Sequence, residues 1–252
     1  MSSAATPESR DDSDSSDSSD APVETRRERA RRQTVEEIKA AAREQLTLAS
    51  SARFSLRAVA RDVGLTPSAI YRYFGSQQEL VGAVAKDAYA SITRRFHEVA
   101  AETADEAAAY RLRALGRAYR VWAHDHTAEF TLIFGTDQED LGEGPGAVDP
   151  ETLVDFFAVP LATYVQGVAT GEISSRFADT GPNPLSERTM TYLSGAGLDM
   201  ADNDLNLLVT SWAAMHGFVA LELFGHLSRF FDDPDAAFER QLTLIVMALG
   251  AR

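Results

Sequence analysis

The residues best equipped for chemistry sit close together: Thr66, Pro67, Ser68, Tyr71, Arg72 and Tyr73, with Arg57 before them and Gln77 after. Hydroxyls, phenols, a guanidinium and an amide are hydrogen-bonding groups that lack both a general base for a nucleophile and a ligand set for a metal. They suit the recognition of phosphates and base edges better than turnover. His124-Asp125-His126 is the one dense group of metal-type ligands. Neighbouring helix positions face different ways, so a metal-dependent helical enzyme using His124 and His126 is the weaker alternative, and no metal site is expected. No Gly-x-Ser-x-Gly, P-loop or dinucleotide glycine pattern occurs, and no cofactor is implied. The chain has no cysteine, which excludes disulfides, a thiol nucleophile and thiolate-bound zinc.

Ser55 precedes Leu56, Val59, Ala60 and Val63, whose spacing marks one face of a helix with a serine N-cap. Gly64 can take the left-handed conformation that closes that helix, and Thr66 with Pro67 then caps and starts the next. Ala60 is small enough for the second helix to cross closely, while Leu65, Ile70 and Phe74 point inward. This is a helix-turn-helix. Its second helix presents Thr66, Pro67 and Ser68 nearest to base edges and the Tyr71 and Tyr73 hydroxyls to phosphates. Tyr73 neighbours Phe74, so partial burial is its other reading.

The net charge of −14 argues against DNA until its distribution is read. Residues 1–20 carry six acids and one base, residues 21–100 fourteen bases and nine acids, and residues 101–252 nine bases and twenty-three acids. The positive charge surrounds the helix-turn-helix, and the acidic remainder repels phosphates elsewhere. Residues 1–23 form a Ser/Asp-rich tail expected to be disordered. Arg26, Arg27, Arg29, Arg31 and Arg32 follow it. They read either as an arm along phosphates or a minor groove, or as a helix-extending charge run. Thr34 and Glu37 make a capping box, so the first helix is predicted from Thr34 to about Leu48.

Phe54 to Leu80, with Leu-Thr-Pro-Ser-Ala-Ile-Tyr-Arg-Tyr-Phe-Gly-Ser-Gln-Gln-Glu-Leu inside it, resembles the DNA-binding domain of the tetracycline-repressor (TetR) family. Ser-Trp-Ala-Ala-Met-His-Gly, ending at Gly217, resembles the Trp-His-Gly (WHG) type of C-terminal domain in that family. The resemblance spans Thr34 to Leu249. It implies an all-α fold and a helix-turn-helix head. A lever helix joins that head to a helical body that binds a small-molecule effector and dimerises. Family members often carry lysine where Gln77 stands, so one phosphate contact lacks a charge here.

The rest of the chain reads as helices. Ser76 and Glu79 form a second capping box ahead of Leu80, Val84, Ala88, Ile92, Phe96 and Val99, one continuous helix from head to body. Further helices are predicted over 107–123, 128–134, from Pro150 to about Val168 with a kink at Pro160, from Asp202 or Asn203 to His226, and over 235–249. Residues 135–146 read as a loop, and 172–199 as a long connection with a short helix over 185–193. The domains are thus 1–23, the head with its basic arm over 24–80, and the body over 81–252. Leu205 to Leu221 lacks charge but reads as a helix buried on nearly all sides, with no membrane partner. Phe96, Trp122, Phe130, Phe134, Phe157 and Tyr164 are the candidate effector-binding aromatics, with plain core as the competing reading. Trp212, Met215, Gly217, Phe218, Leu221, Phe224, Leu242 and Ile245 are the candidate seam of a homodimer. The function expected is a cytoplasmic, DNA-binding transcriptional regulator, a repressor released from a palindromic operator by an apolar or amphipathic effector. A regulator controlled by a protein partner is the alternative.

Overall fold

Short polar side chains decide where the helices of the N-terminal third begin. The computed structural model describes residues 25–48, 54–135, 148–174 and 202–251. These residues form helices α1 (Arg26–Leu48), α2 (Leu56–Asp62), α3 (Pro67–Ile70), α4 (Gln77–Glu102) and α5 (Ala108–Asp125). Helices α6 (Thr127–Gly135), α7 (Pro150–Ala169), α8 (Asp202–Leu223) and α9 (Pro234–Ala248) complete the fold. The tail, the 136–146 loop and the 185–193 helix lie outside the described residues.

Ser55 Oγ accepts from Ala58 N–H at 3.3 Å and opens α2, and Thr66 Oγ1 accepts from Ala69 N–H at 3.2 Å and opens α3. Ser76 Oγ accepts from Glu79 N–H at 3.0 Å and opens α4, while the Glu79 carboxylate reaches Gly75 N–H rather than that of Ser76. Helix α1 departs from expectation. Thr25 and Glu28 exchange the reciprocal bonds of a capping box, at 3.2 and 2.8 Å, so the helix begins at Arg26 and not at Thr34. Thr34 lies mid-helix and donates its hydroxyl proton to the Ala30 carbonyl. Both threonines have a glutamate three residues on. The earlier box prevails because the arginines between them are good helix formers and Glu28 meets the positive helix end.

Gly64, at φ +72°, ends α2, with Leu65 N–H donating to the Ala60 carbonyl at 2.7 Å. Gly225 closes α8 in the same way, short of His226. Helix α5 has no cap of its own; the Glu172 carboxylate accepts from Ala108 N–H at 2.7 Å, and that bond holds its pKa below the usual range. Asp149 caps α7 through Thr152 N–H, and the helix runs past Pro160 to Ala169.

Helix α4 packs against α1, α5, α6 and α7. Its buried Leu80, Val84, Ala88, Ile92, Phe96 and Val99 belong to one apolar core that begins at Ile38, Val59 and Ile70 and continues to Tyr119, Phe130 and Phe156. A second core gathers Ala108, Tyr164, Ile173, Val246, Leu249 and Ala251. Helix α8 is not buried on nearly all sides: Val209, Ala213 and Leu221 are exposed, because α5 and α9 cover only its other face. Among the described residues, the helix long and apolar enough to cross a membrane is α7, over Glu151–Ala169, and it packs on α4 and α5.

Ion pairs tie the layers together. Asp87 on α4 takes Lys39 at 2.8 Å and Arg43 at 2.5 Å, both from α1, and Arg43 also lies 4.0 Å from Glu129 on α6. Arg120 on α5 binds Glu222 on α8 and Asp235 on α9, while Arg117 binds Glu239. The chain's end is clasped at Gly250, where Ser174 N–H donates to its carbonyl at 3.0 Å. A Cβ at Gly250 (φ +84°) would lie 2.1 Å from the Ser174 oxygen, whereas one at Gly64 meets nothing within 4 Å. Gly64→Ala therefore carries only the left-handed strain of about 1–2 kcal/mol. Gly250→Ala adds a backbone clash and is expected to cost at least about 1 kcal/mol more in chemical denaturation.

Candidate nucleic-acid interface and aromatic cage

The head places most of its polar set on one open surface. Arg57, Thr66, Pro67, Ser68 and Arg72 are exposed, and Tyr71 is 52% exposed. Thr66 Oγ1 and Ser68 Oγ lie 3.2 Å apart at the start of α3, so two hydroxyls flank Pro67. Gln77 is half-buried in the first turn of α4. Tyr73 is half-buried and packs against the main core, as its neighbour Phe74 suggested.

Arg31, which the sequence offers only as one member of the arginine run, joins this surface. Its guanidinium lies over the Tyr73 ring, 5.3 Å from the centroid, and its Nη1 donates to the Arg72 carbonyl at 3.4 Å. The arginine run is therefore helical and joins the recognition helix from the side. Two signals pointed there: the Thr25–Glu28 box, and the seven-residue interval from Arg31 to the buried Ile38, which puts both on one helical face.

In the body, four of the six candidate aromatics come together. Phe96, Phe130, Phe134 and Phe157 join Tyr89, Tyr119, Phe156, Trp212 and His216 in a web of edge-on and tilted ring contacts. Such pairs add about 0.5–1.5 kcal/mol beyond burial. His216 stacks on Phe130 at 5.3 Å and on Trp212 at 5.2 Å, and Phe134 meets it edge-on at 4.7 Å. Its Nδ1 lies 2.8 Å from the Tyr119 hydroxyl. Burial pushes the Tyr119 pKa up and the His216 pKa down, so both stay neutral at pH 7.

Trp122 and Tyr164 lie elsewhere. The Trp122 indole N–H donates to Ser91 Oγ at 3.2 Å and its ring faces His126; Tyr164 belongs to the second core. Sequence periodicity put both on inward faces correctly, but Tyr164 meets the second core, and Trp122, although in the main core, turns to Ser91 and His126 rather than to the cage rings. Tyr89 and Tyr119 gave the same periodic signal as plain core.

The seam candidates also divide. Gly217 and Leu221 lie on the open face of α8, and Phe224 follows just past its end; a Cβ at Gly217 meets nothing, and the two side chains are 47% and 52% exposed. Leu242 is 2% exposed, Met215 lies beside Gly116, and the Phe218 ring meets Phe238, so these three turn inward within one chain. Ile245 packs against the second core and Trp212 joins the cage. The open face gains Val209, Leu244 and Met247 instead. His124 faces Glu222 at 3.2 Å and His126 faces Glu129 at 3.9 Å, and no cluster of three metal-type ligands occurs among the described residues.

The His216 shift has a pH consequence. A histidine whose folded pKa is depressed costs stability once the unfolded chain begins to take up a proton, near its ordinary value of about 6.5. Stability is expected to fall as pH drops from about 7 through 6, and His216→Phe to remove that part of the slope in denaturation curves taken at each pH.

Comparison with known proteins agrees with this architecture. Residues 38–84 match the family described as bacterial regulatory proteins, tetR family, and residues 112–245 match the tetracyclin repressor-like C-terminal domain. The HTH-type transcriptional regulators Rv1816 of Mycobacterium tuberculosis and Mb1846 of Mycobacterium bovis are each 29% identical over 229 residues, 89% of this chain and 96% of theirs. The crystal structure of the regulatory protein SCO4313 superposes with a TM-score of 0.62 at 28% identity, covering 88% of this chain and 98% of that one. A tetR-family regulator from Rhodococcus RHA1 shares the fold at a TM-score of 0.61 and 17% identity, over 87% of this chain and 98% of its own. With an exposed helix-turn-helix at one end, a helical body at the other and both halves matched, the chain belongs to the TetR family of bacterial transcriptional regulators, and is not an enzyme.

Proposed function

We propose that the chain is a homodimeric, ligand-responsive repressor working in the cytoplasm. Each head, over 24–80, reads one half of a near-palindromic operator in double-stranded DNA. A small apolar or amphipathic effector held in the body, over 81–252, releases it. The observation that carries the reading is the single helix α4. It begins beside the exposed recognition surface and ends beside the aromatic cage, within one continuous core.

Thr66, Pro67 and Ser68 specify bases in this reading, while Arg57, Tyr71, Arg72 and Gln77 hold phosphates. Tyr73 supports them from below. The α1 arginines add sequence-independent affinity.

The open stripe on α8 supports the dimer. Val209, Ala213, Gly217, Leu221 and Phe224 recur at intervals of four, four, four and three, and Leu244 with Met247 continues the stripe on α9. Two helices per subunit with one apolar face left over form a four-helix bundle about a two-fold axis. Gly217, with open space where a Cβ would stand, lets the partner approach closely.

The test is binding to the DNA that flanks the protein's own gene, at two salt concentrations. Tight, sequence-selective binding with a steep salt slope is expected. Tyr71→Phe and Arg72→Ala should each fold normally and weaken it, by about 1–3 kcal/mol for a base contact and less for a phosphate contact. Unchanged affinity in both variants would displace the recognition surface. Light scattering checks the dimer: Phe224→Glu is expected to give a folded monomer, whereas Leu242→Glu, buried within one chain, should unfold it.

A further inference from the structure

The cage contains one buried ring N–H that the described residues leave without an acceptor, and beside it a second ring N–H on His216. The buried Trp212 Nε1 has no hydrogen-bond partner. Tyr119 is fully buried and keeps its phenolic proton, and the acceptor within its reach is His216 Nδ1 at 2.8 Å. A neutral imidazole that accepts at Nδ1 carries its own proton at Nε2. Helix α8 thus supplies two N–H donors one turn apart, on rings stacked at 5.2 Å with 24° between their planes.

A buried donor left unmet costs about 1–3 kcal/mol, which an acceptor oxygen recovers. The walls beside Trp212 are flat. Phe134 lies 6.1 Å and Phe157 5.4 Å from it, ring centre to ring centre, and Phe157 is 37% exposed, so the cage reaches the surface of the described residues. The cage rings carry no carboxylate, ammonium or guanidinium group.

We infer that the effector is a flat aromatic molecule bearing a carbonyl-type oxygen, which packs among Phe134, Phe157 and Trp212 and accepts from Trp212 Nε1 and His216 Nε2. This rests on the effector reading above and narrows it to a chemical class. Aromatic cages also favour quaternary ammonium ions. Such an ion accepts no hydrogen bond and leaves the Trp212 donor unmet.

Equilibrium dialysis of the full chain against coumarin, naphthalene and benzyltrimethylammonium separates these cases. Coumarin and naphthalene have the same two-ring outline, and only coumarin has the oxygen. Coumarin is expected to be held about tenfold more tightly than naphthalene, roughly one recovered donor. Trp212→Phe, checked for helicity by circular dichroism, should bring the two near equality. Equal retention of both by the unaltered protein, preference for the ammonium ion, or retention of neither two-ring probe overturns the inference. Release of operator DNA by another class of compound, with coumarin not retained, overturns this class and keeps the effector reading. Trp212-dependent coumarin binding with no effect on operator binding does the reverse.

Discussion

One close-packed helix, α4, constrains everything else. Its Leu80 and Val84 share a core with Ile38, Val59 and Ile70 of the head, and its Ile92 and Phe96 share the same core with Tyr119 and Phe156 of the body. At 1.5 Å per residue its 26 residues span about 39 Å. Protein interiors are packed as densely as organic crystals, so such a helix moves as a rod or not at all. Asp87, midway along it, takes Lys39 and Arg43 from α1, and the Lys39 side chain is only 11% exposed. Removing a partner from so buried a cation is costly, which fixes how the head is held against α4.

Helix α6 meets that joint from the other side. Its Glu129 lies near Arg43, and its Phe130 and Phe134 enter the cage. The whole helix is only nine residues long. On the proposed effector reading, anything that rearranges Phe134 bears on the same short rod that carries Glu129. A ligand shifts such an equilibrium only by its differential affinity for two states, a few kcal/mol at most. The coupling need not be large, because the ionic joint is only Lys39 and Arg43 around Asp87.

Local chemistry was legible in the sequence wherever one side chain decides one backbone group. Ser55, Thr66, Ser76 and Asp233 each stand where the structure has an N-cap, and Gly64 and Gly171 each turn left-handed after a helix. Competition between equals was not legible. Thr25–Glu28 and Thr34–Glu37 carry the same signature, and the winner is the box whose following arginines extend the helix. Likewise Leu242 and Leu244 are both apolar on one helix, yet the first fills the space beside Gly116 and the second faces outward. Periodicity finds a face; only the packing partner says whether that face is used within the chain or left for another. Tyr164 lies away from the cage for the same reason, since two cores accept the same residue types.

The acidic balance of the chain also follows from local physics. At physiological salt a charge is screened beyond about 8 Å, so DNA responds to the charges that touch it and not to a total of −14. Arg26, Arg27, Arg29, Arg31 and Arg32 stand on one exposed half of α1, and Arg57 and Arg72 on the head beside it. Arg31 links the two by lying on Tyr73, so the basic half-helix is held in register with the recognition helix. The acids of the body have other work: Glu222, Asp235 and Glu239 hold α8 and α9 to Arg117 and Arg120 of α5. Burial raises the pKa of Glu222, but bonds from Arg120 and His124 outweigh it and keep the carboxylate ionised. Charge that braces the body and charge that meets DNA are thus separated along one rod, and the sign of the sum decides neither.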